Sequence, residues 1–176
     1  GAGMQQVGPG CGAYGNGLWS FVEPDSLLVG ATTHFTAFGA PNGFGMLILN
    51  DSVAPFVYPL QLIGGEANCF LHLPNSFMTL LAPFSGPIDA SAPGLGGLAV
   101  ISVTIPSAPN LMGATFASQW LDGGQQPFVA SNGIAFSIAN TPPSFGITTI
   151  AAPANIGLPA AGEIAPDFAP VLQILY

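Results

Sequence analysis

The chain contains neither lysine nor arginine. No salt bridge to those side chains can form within it, and the main means of holding nucleic-acid phosphates, counterion release by Lys and Arg, is missing. Attraction to anionic membrane surfaces is excluded for the same reason, and trypsin-like proteases find no cleavage site. Acidic residues are scarce too: Glu23, Asp25, Asp51, Glu66, Asp89, Asp122, Glu163 and Asp167 are the eight carboxylate side chains, for a net charge of -8. Histidine and cysteine each occur twice. Every apolar run is interrupted by Gly, Pro or polar residues well short of the roughly 20 residues that span a bilayer. The 3.6-residue spacing of a long amphipathic helix is also absent.

What is present is apolar and punctuated. Hydrophobic residues make up 49% of the 176, 13 of them Phe, and the 24 Gly and 18 Pro fall between apolar runs, so they mark turns rather than dilute a core. The length suits a single domain with a substantial core. Positive mean hydropathy with so few charges is unusual for a free monomer and points to apolar surface buried against neighbours.

The stretch Leu98–Ala139 organises the reading. Leu98 to Ile105 mixes β-branched and small residues and stops at Pro106, which predicts a strand. Pro106 to Asn110 reads as a rigid loop. From Met112 to Leu121, alternation sets Met112, Ala114, Phe116, Ser118 and Trp120 on one face. Asp122-Gly123-Gly124 is expected to supply positive φ for a tight reversal. Phe128 to Ala139 is interrupted at Ser131-Asn132-Gly133, either a bulge or a second turn. Three successive antiparallel strands are expected here.

Elsewhere, Gly1 to Gly17 reads as an extended N-terminal arm, its small-residue start Gly1-Ala2-Gly3 resembling a processed mature terminus. Leu18–Val22 is a short strand. The alternation within Ser26–Phe38 predicts a strand, with Phe44–Asn50 as its hairpin partner across Gly39 to Gly43; Phe44–Asn50 is apolar on both faces, hence central. Pro55–Ile63, broken by Pro59, predicts an edge strand or bent segment ended by Gly64-Gly65. Cys69–Leu73 is a strand with Cys69, Leu71 and Leu73 inward, Phe77–Leu81 is either strand or helical turn, and Pro83–Gly97 is a long surface loop. Turn signals every 8 to 12 residues make the chain all-β, a single β-sandwich or jelly roll over residues 1–139 with a strand-forming extension over 140–176. With two cysteines, Cys11 to Cys69 is the sole intrachain pairing, and it pins the arm.

The order IPSAPNLMGATFASQWLD then SNGIAFSIA, with GPGCG at Gly8–Gly12, the run from Gly30 into GMLILN, and CFLHLP at Cys69–Pro74, resembles a β-rich secreted domain of extracellular proteins from planctomycetes and similar bacteria. The resemblance covers about residues 8 to 139. It implies a secreted β-sandwich-like module and brings no catalytic residues.

Chemistry-bearing patterns are few. His34 and His72 are the only general-base candidates near neutral pH, and no G-x-S-x-G elbow accompanies the serines, so no enzyme activity, catalytic residue or cofactor is expected. Cys69 and His72, three apart, point to opposite faces of a strand and make a poor zinc pair. Glu23 and Asp25 share a strand face and, with Asp51, would suit calcium, but no D-x-D-x-D-G loop is present, and solvated carboxylates are the expectation. Trp19, Trp120 and the tyrosines form either a sugar-stacking platform or packed core. Asn50-Asp51-Ser52 is the one N-x-[ST] sequon, which makes Asn50 a candidate glycosylation site at a hairpin end where a glycan would be accessible.

The C-terminal extension carries the main functional expectation. Thr141-Pro142-Pro143 is a stiff linker. In the last run Phe168, Leu172, Ile174 and Tyr176 share one face, and Val171 and Leu175 the other. A strand apolar on both sides needs a dock, either its own sheet or a neighbour's. The expectation is a secreted, extracellular structural subunit whose partners are copies of itself, added strand by strand into a filament or surface layer. The alternative is a monomeric carbohydrate-binding or adhesion module.

Overall fold

The computed structural model describes residues 3–12, 18–23, 26–51, 57–73, 78–86, 96–124 and 126–140. The extension over 141–176, with Phe168, Val171, Leu172, Ile174, Leu175 and Tyr176, lies outside them.

The fold is all-β, with two sheets packed face to face. One sheet has the order β1 (Met4–Val7), β11 (Gly133–Ser137), β9 (Thr115–Asp122), β4 (Phe44–Asn50), β7 (Met78–Pro83), with β10 (Val129–Ala130) also on β9; the other runs β2 (Trp19–Val22), β3 (Thr32–Gly39), β8 (Gly97–Thr104). Every pairing between these strands is antiparallel. The core lies between the layers, where Phe35 and Ala37 of β3 and Ala99 of β8 oppose Leu47 and Leu49 of β4, Trp120 of β9 and Phe136 of β11. Alternation in β3 and on β9 sends these residues to the inner face. β4, apolar on both faces, is central, between β9 and β7.

The hairpin expected between the strand within Ser26–Phe38 and Phe44–Asn50 is not formed, because β3 and β4 belong to opposite sheets. Residues Ala40 to Gly43 carry the chain across the interior instead. Their N–H groups go to acceptors other than a hairpin ladder: Ala40 donates to Asp122 Oδ2 at 2.7 Å and Asn42 to Ser85 O at 3.0 Å. The arch lets the apolar faces of β3 and β4 cover one another rather than lie side by side. The expected succession of three antiparallel strands is corrected for a similar reason. β8 pairs with β3, and the connection to β9, with Pro106 and Pro109 lacking donors and Gly113 at φ 77, crosses to the other sheet.

Asp122-Gly123-Gly124 does not make a positive-φ reversal. Asp122 ends β9, wholly buried, and its other carboxylate oxygen accepts the Gly124 N–H at 2.8 Å. The glycines serve close approach: a Cβ on Gly124 would lie 2.7 Å from Gly43 Cα, and one on Gly123 would enter the Phe44 ring. The interruption at Ser131-Asn132-Gly133 is a bulge, three residues facing two of β9, since Ala130 pairs with Leu121 and Ile134 with Ser118.

A third layer covers the outer face of the larger sheet. Tyr58–Pro59 (β5) pairs with Phe70–Leu71 (β6), and Leu60–Ile63 between them is a 3-10 turn capped by Gly64 at φ 91, so of the edge strand or bent segment expected over Pro55–Ile63 the second half is a helical turn. Only Leu60 of that turn is buried; Leu62 is 65% exposed. Cys69 and Leu73 point inward as expected, and Cys11 and Cys69 are joined with their Cα atoms 5.5 Å apart. Phe77–Leu81 resolves as strand over Met78–Pro83.

Candidate functional site

The residues singled out for catalysis are not brought together. His34 lies on the smaller sheet, its Nδ1 2.8 Å from Ser102 Oγ on the neighbouring strand. His72 sits in the covering layer, buried, with Nε2 lacking a hydrogen-bond partner among the described residues. Its backbone N–H donates to Gln119 Oε1 at 2.8 Å, and Gly8, at φ 80, passes so close that a Cβ there would enter the imidazole ring. Burial lowers the His72 pKa below its ordinary value, and a hydrogen bond to the Pro9 backbone acts in the opposite direction with smaller effect. Well above pH 6.5 the ring is neutral in both folded and unfolded chains and adds no pH dependence. As pH falls through 6.5, the unfolded chain takes up the proton first, so stability falls until the folded pKa is passed. Unfolding midpoints between pH 8 and 5 are expected to drop more for the native chain than for His72→Phe; equal slopes would count against it.

Among the described residues no three His, Cys, Asp or Glu side chains are grouped to hold a metal ion. Glu23 and Asp51 are exposed, and Asp25 lies outside the described residues. Trp120 is 1% exposed and packs against Phe84 with ring centroids 6.4 Å apart, a core tryptophan rather than a sugar platform. The Trp19 side chain, Tyr14 and Tyr176 fall outside the described residues. The expected accessibility of Asn50 is corrected: it ends β4, a central strand rather than a hairpin arm, is 5% exposed, and its Oδ1 accepts the Asp51 N–H at 2.9 Å. No helix among the described residues is long and apolar enough to cross a membrane.

The structure does bring together two sheet edges of opposite character. Along β2, the side away from β3 is occupied. Asn132, in the bulge, accepts the Ser20 N–H at 2.8 Å and donates to Ser20 O at 3.1 Å, so its carboxamide stands in for a neighbouring strand; Leu18 donates to Cys11 O at 2.8 Å. Along β8, no strand among the described residues pairs on the side away from β3. Leu98 gives its N–H to Ser85 Oγ and takes the Ser85 N–H, both at 2.9 Å, while Ile105 turns its groups toward Gly30 and Ala31. Ladder alternation therefore aims the N–H and C=O of Val100, Ser102 and Thr104 outward, where no described residue pairs with them. Natural edges are usually blunted by Lys, Pro or bulges, and this strand carries none of them.

Beside the far end of β8, a cavity of about 310 Å³ opens between the sheets, with Phe35 and Val103 on one side and Leu49, Met78, Phe116 and Phe136 on the other. Val100 and Phe21 stand on the outer face of the smaller sheet, 46% and 39% exposed, and Phe21 stacks on Phe38 at 6.1 Å. The edge is thus flanked by apolar surface on its inner side and by a mixed outer face, where Ser102 and Thr104 are exposed beside Val100. Alternation alone finds the strand and its inward face, but not which neighbour it lacks.

No family model matches the chain and no curated protein does, so no relative bears on the resemblance to extracellular domains of planctomycetes.

Proposed function

We propose that the chain is a secreted structural subunit that joins copies of itself by β-strand addition into an extracellular filament or surface layer. The observation that carries this reading is the asymmetry of the smaller sheet, closed at β2 by a side-chain carboxamide and open at β8 beside an apolar cavity. A bare edge is a template for another strand. The absence of Lys and Arg supports it, since no cationic guard stands at that edge or anywhere else. The Cys11–Cys69 disulfide fits an oxidising compartment outside the cell. The stacked Phe21 and Phe38 favour a second reading, a glycan-binding or adhesion module with a flat aromatic face.

Light scattering and electron microscopy of the full-length protein, with no added ligand, are expected to show high-mass, regular assemblies growing with concentration. A monomer at all concentrations would overturn the assembly reading, and a polysaccharide-dependent change in intrinsic fluorescence of that monomer would favour the second.

A further inference from the structure

We propose that the open edge of β8 and the cavity beside it form the acceptor groove for the segment Phe168–Tyr176 of a second copy of the chain. This rests on the assembly reading above and assigns the surface that reading requires. The edge offers outward N–H and C=O groups at Val100, Ser102 and Thr104, which only an extended backbone matches in register. A strand laid there turns alternate side chains inward toward Phe35, Val103 and Phe116 and the others outward beside Val100. The inward side of the incoming strand must therefore be apolar, while its outer side meets Ser102 and Thr104 as well as Val100.

Two apolar runs lie beyond Asn140. Phe145–Ala151 places Thr148 on one face and Thr149 on the other. Phe168–Tyr176 has no charged residue and places Phe168, Leu172, Ile174 and Tyr176 on one face, with Val171, Gln173 and Leu175 on the other, so it supplies more large apolar side chains for the inward side. Asn140 comes two residues after Ile138, which lines the cavity, so the extension starts near the groove. Residues 141–167 span at most about 90 Å when extended, against a radius of gyration of about 16 Å for a domain of this length. That is ample for another molecule. Donor and acceptor are different patches of one chain, so the contact is head-to-tail and propagates.

The test uses two full-length variants, Ser102→Cys and Gln173→Cys, each with one added thiol and a different tag, mixed and oxidised. The expected result is a disulfide joining 102 of one tag to 173 of the other, found by non-reducing gel and peptide mass spectrometry. Ser102→Pro, which removes one outward N–H, is expected to raise the concentration for half-assembly at least tenfold with an unchanged circular dichroism spectrum. Assembly without the 102–173 link would overturn the groove and leave the assembly reading standing. In a third variant carrying both Ser102→Cys and Gln173→Cys, a link formed only within single chains would place the segment on its own sheet and overturn the proposal. Failure of the native chain to assemble would overturn the assembly reading itself.

Discussion

Gln119→Leu is expected to destabilise the protein by about 4 kcal/mol, a large part of the 5–15 kcal/mol of a typical domain. Gln119 is wholly buried between the larger sheet and the covering layer. Its Oε1 accepts the His72 N–H at 2.8 Å, and its Nε2 donates to Phe70 O at 3.0 Å and Ser131 O at 2.8 Å. Leucine fills similar space but leaves one donor and two acceptors buried and unpaired, each costing about 1–3 kcal/mol, partly offset by the added apolar burial. Urea unfolding should show the midpoint falling with little change in slope. Gln119→Glu adds a diagnostic. The carboxylate keeps the bond from His72 but faces two carbonyl oxygens in a chain with no Lys or Arg, so the folded form favours the protonated acid. A group whose pKa is raised on folding stabilises below its unfolded pKa and loses that effect as pH rises through the folded value, so this variant should be weaker at pH 7 than at pH 4 relative to the native chain. A midpoint within experimental error of the native one for Gln119→Leu would show that the covering layer is not bound through this side chain.

Removing the disulfide with Cys11→Ala and Cys69→Ala together is expected to cost about 4 kcal/mol by the loop-entropy model, because the bridge closes a loop with a sequence separation of 58. The bridge also ties two edge pieces that have few other anchors. On one side of it β1 pairs with β11 and Cys11 donates to Ala130 O at 2.9 Å; on the other, Leu60 donates to Cys69 O at 2.9 Å. Hydrogen exchange should show the β1 and β6 amides losing protection first while the β4 and β9 amides keep it. A loss below about 1 kcal/mol would mean that the reduced, unfolded chain is already restrained.

Period-two alternation makes the strands legible, since in β3 and β9 it alone decides which side chains go inward. With two cysteines there is one intrachain pairing, and Ser131-Asn132-Gly133 already reads as a bulge or a turn. The Gly39 to Gly43 turn was legible as a turn but not as an arch, because a hairpin and an arch use the same residues. The choice between them depends on Asp122 and Ser85, far away in sequence, accepting the turn's N–H groups. Gln119 illustrates the same limit: it lies on the face of β9 opposite the aromatic side chains, which alternation assigns to solvent, and is buried only because residues 57–73 fold over it.

Composition and local pattern by themselves determined an all-β chain with a staple at Cys11–Cys69 and no means of pairing charge through Lys or Arg, because these follow from residue types and short-range geometry. Which sheet each strand joins, which edge Asn132 bonds, and that no described residue pairs with the outer side of β8 beside the cavity were decided only in three dimensions. Each depends on hydrogen bonds between residues distant in the chain, such as Asn132 with Ser20 and Ser85 with Leu98, for which a single sequence holds no periodic signal.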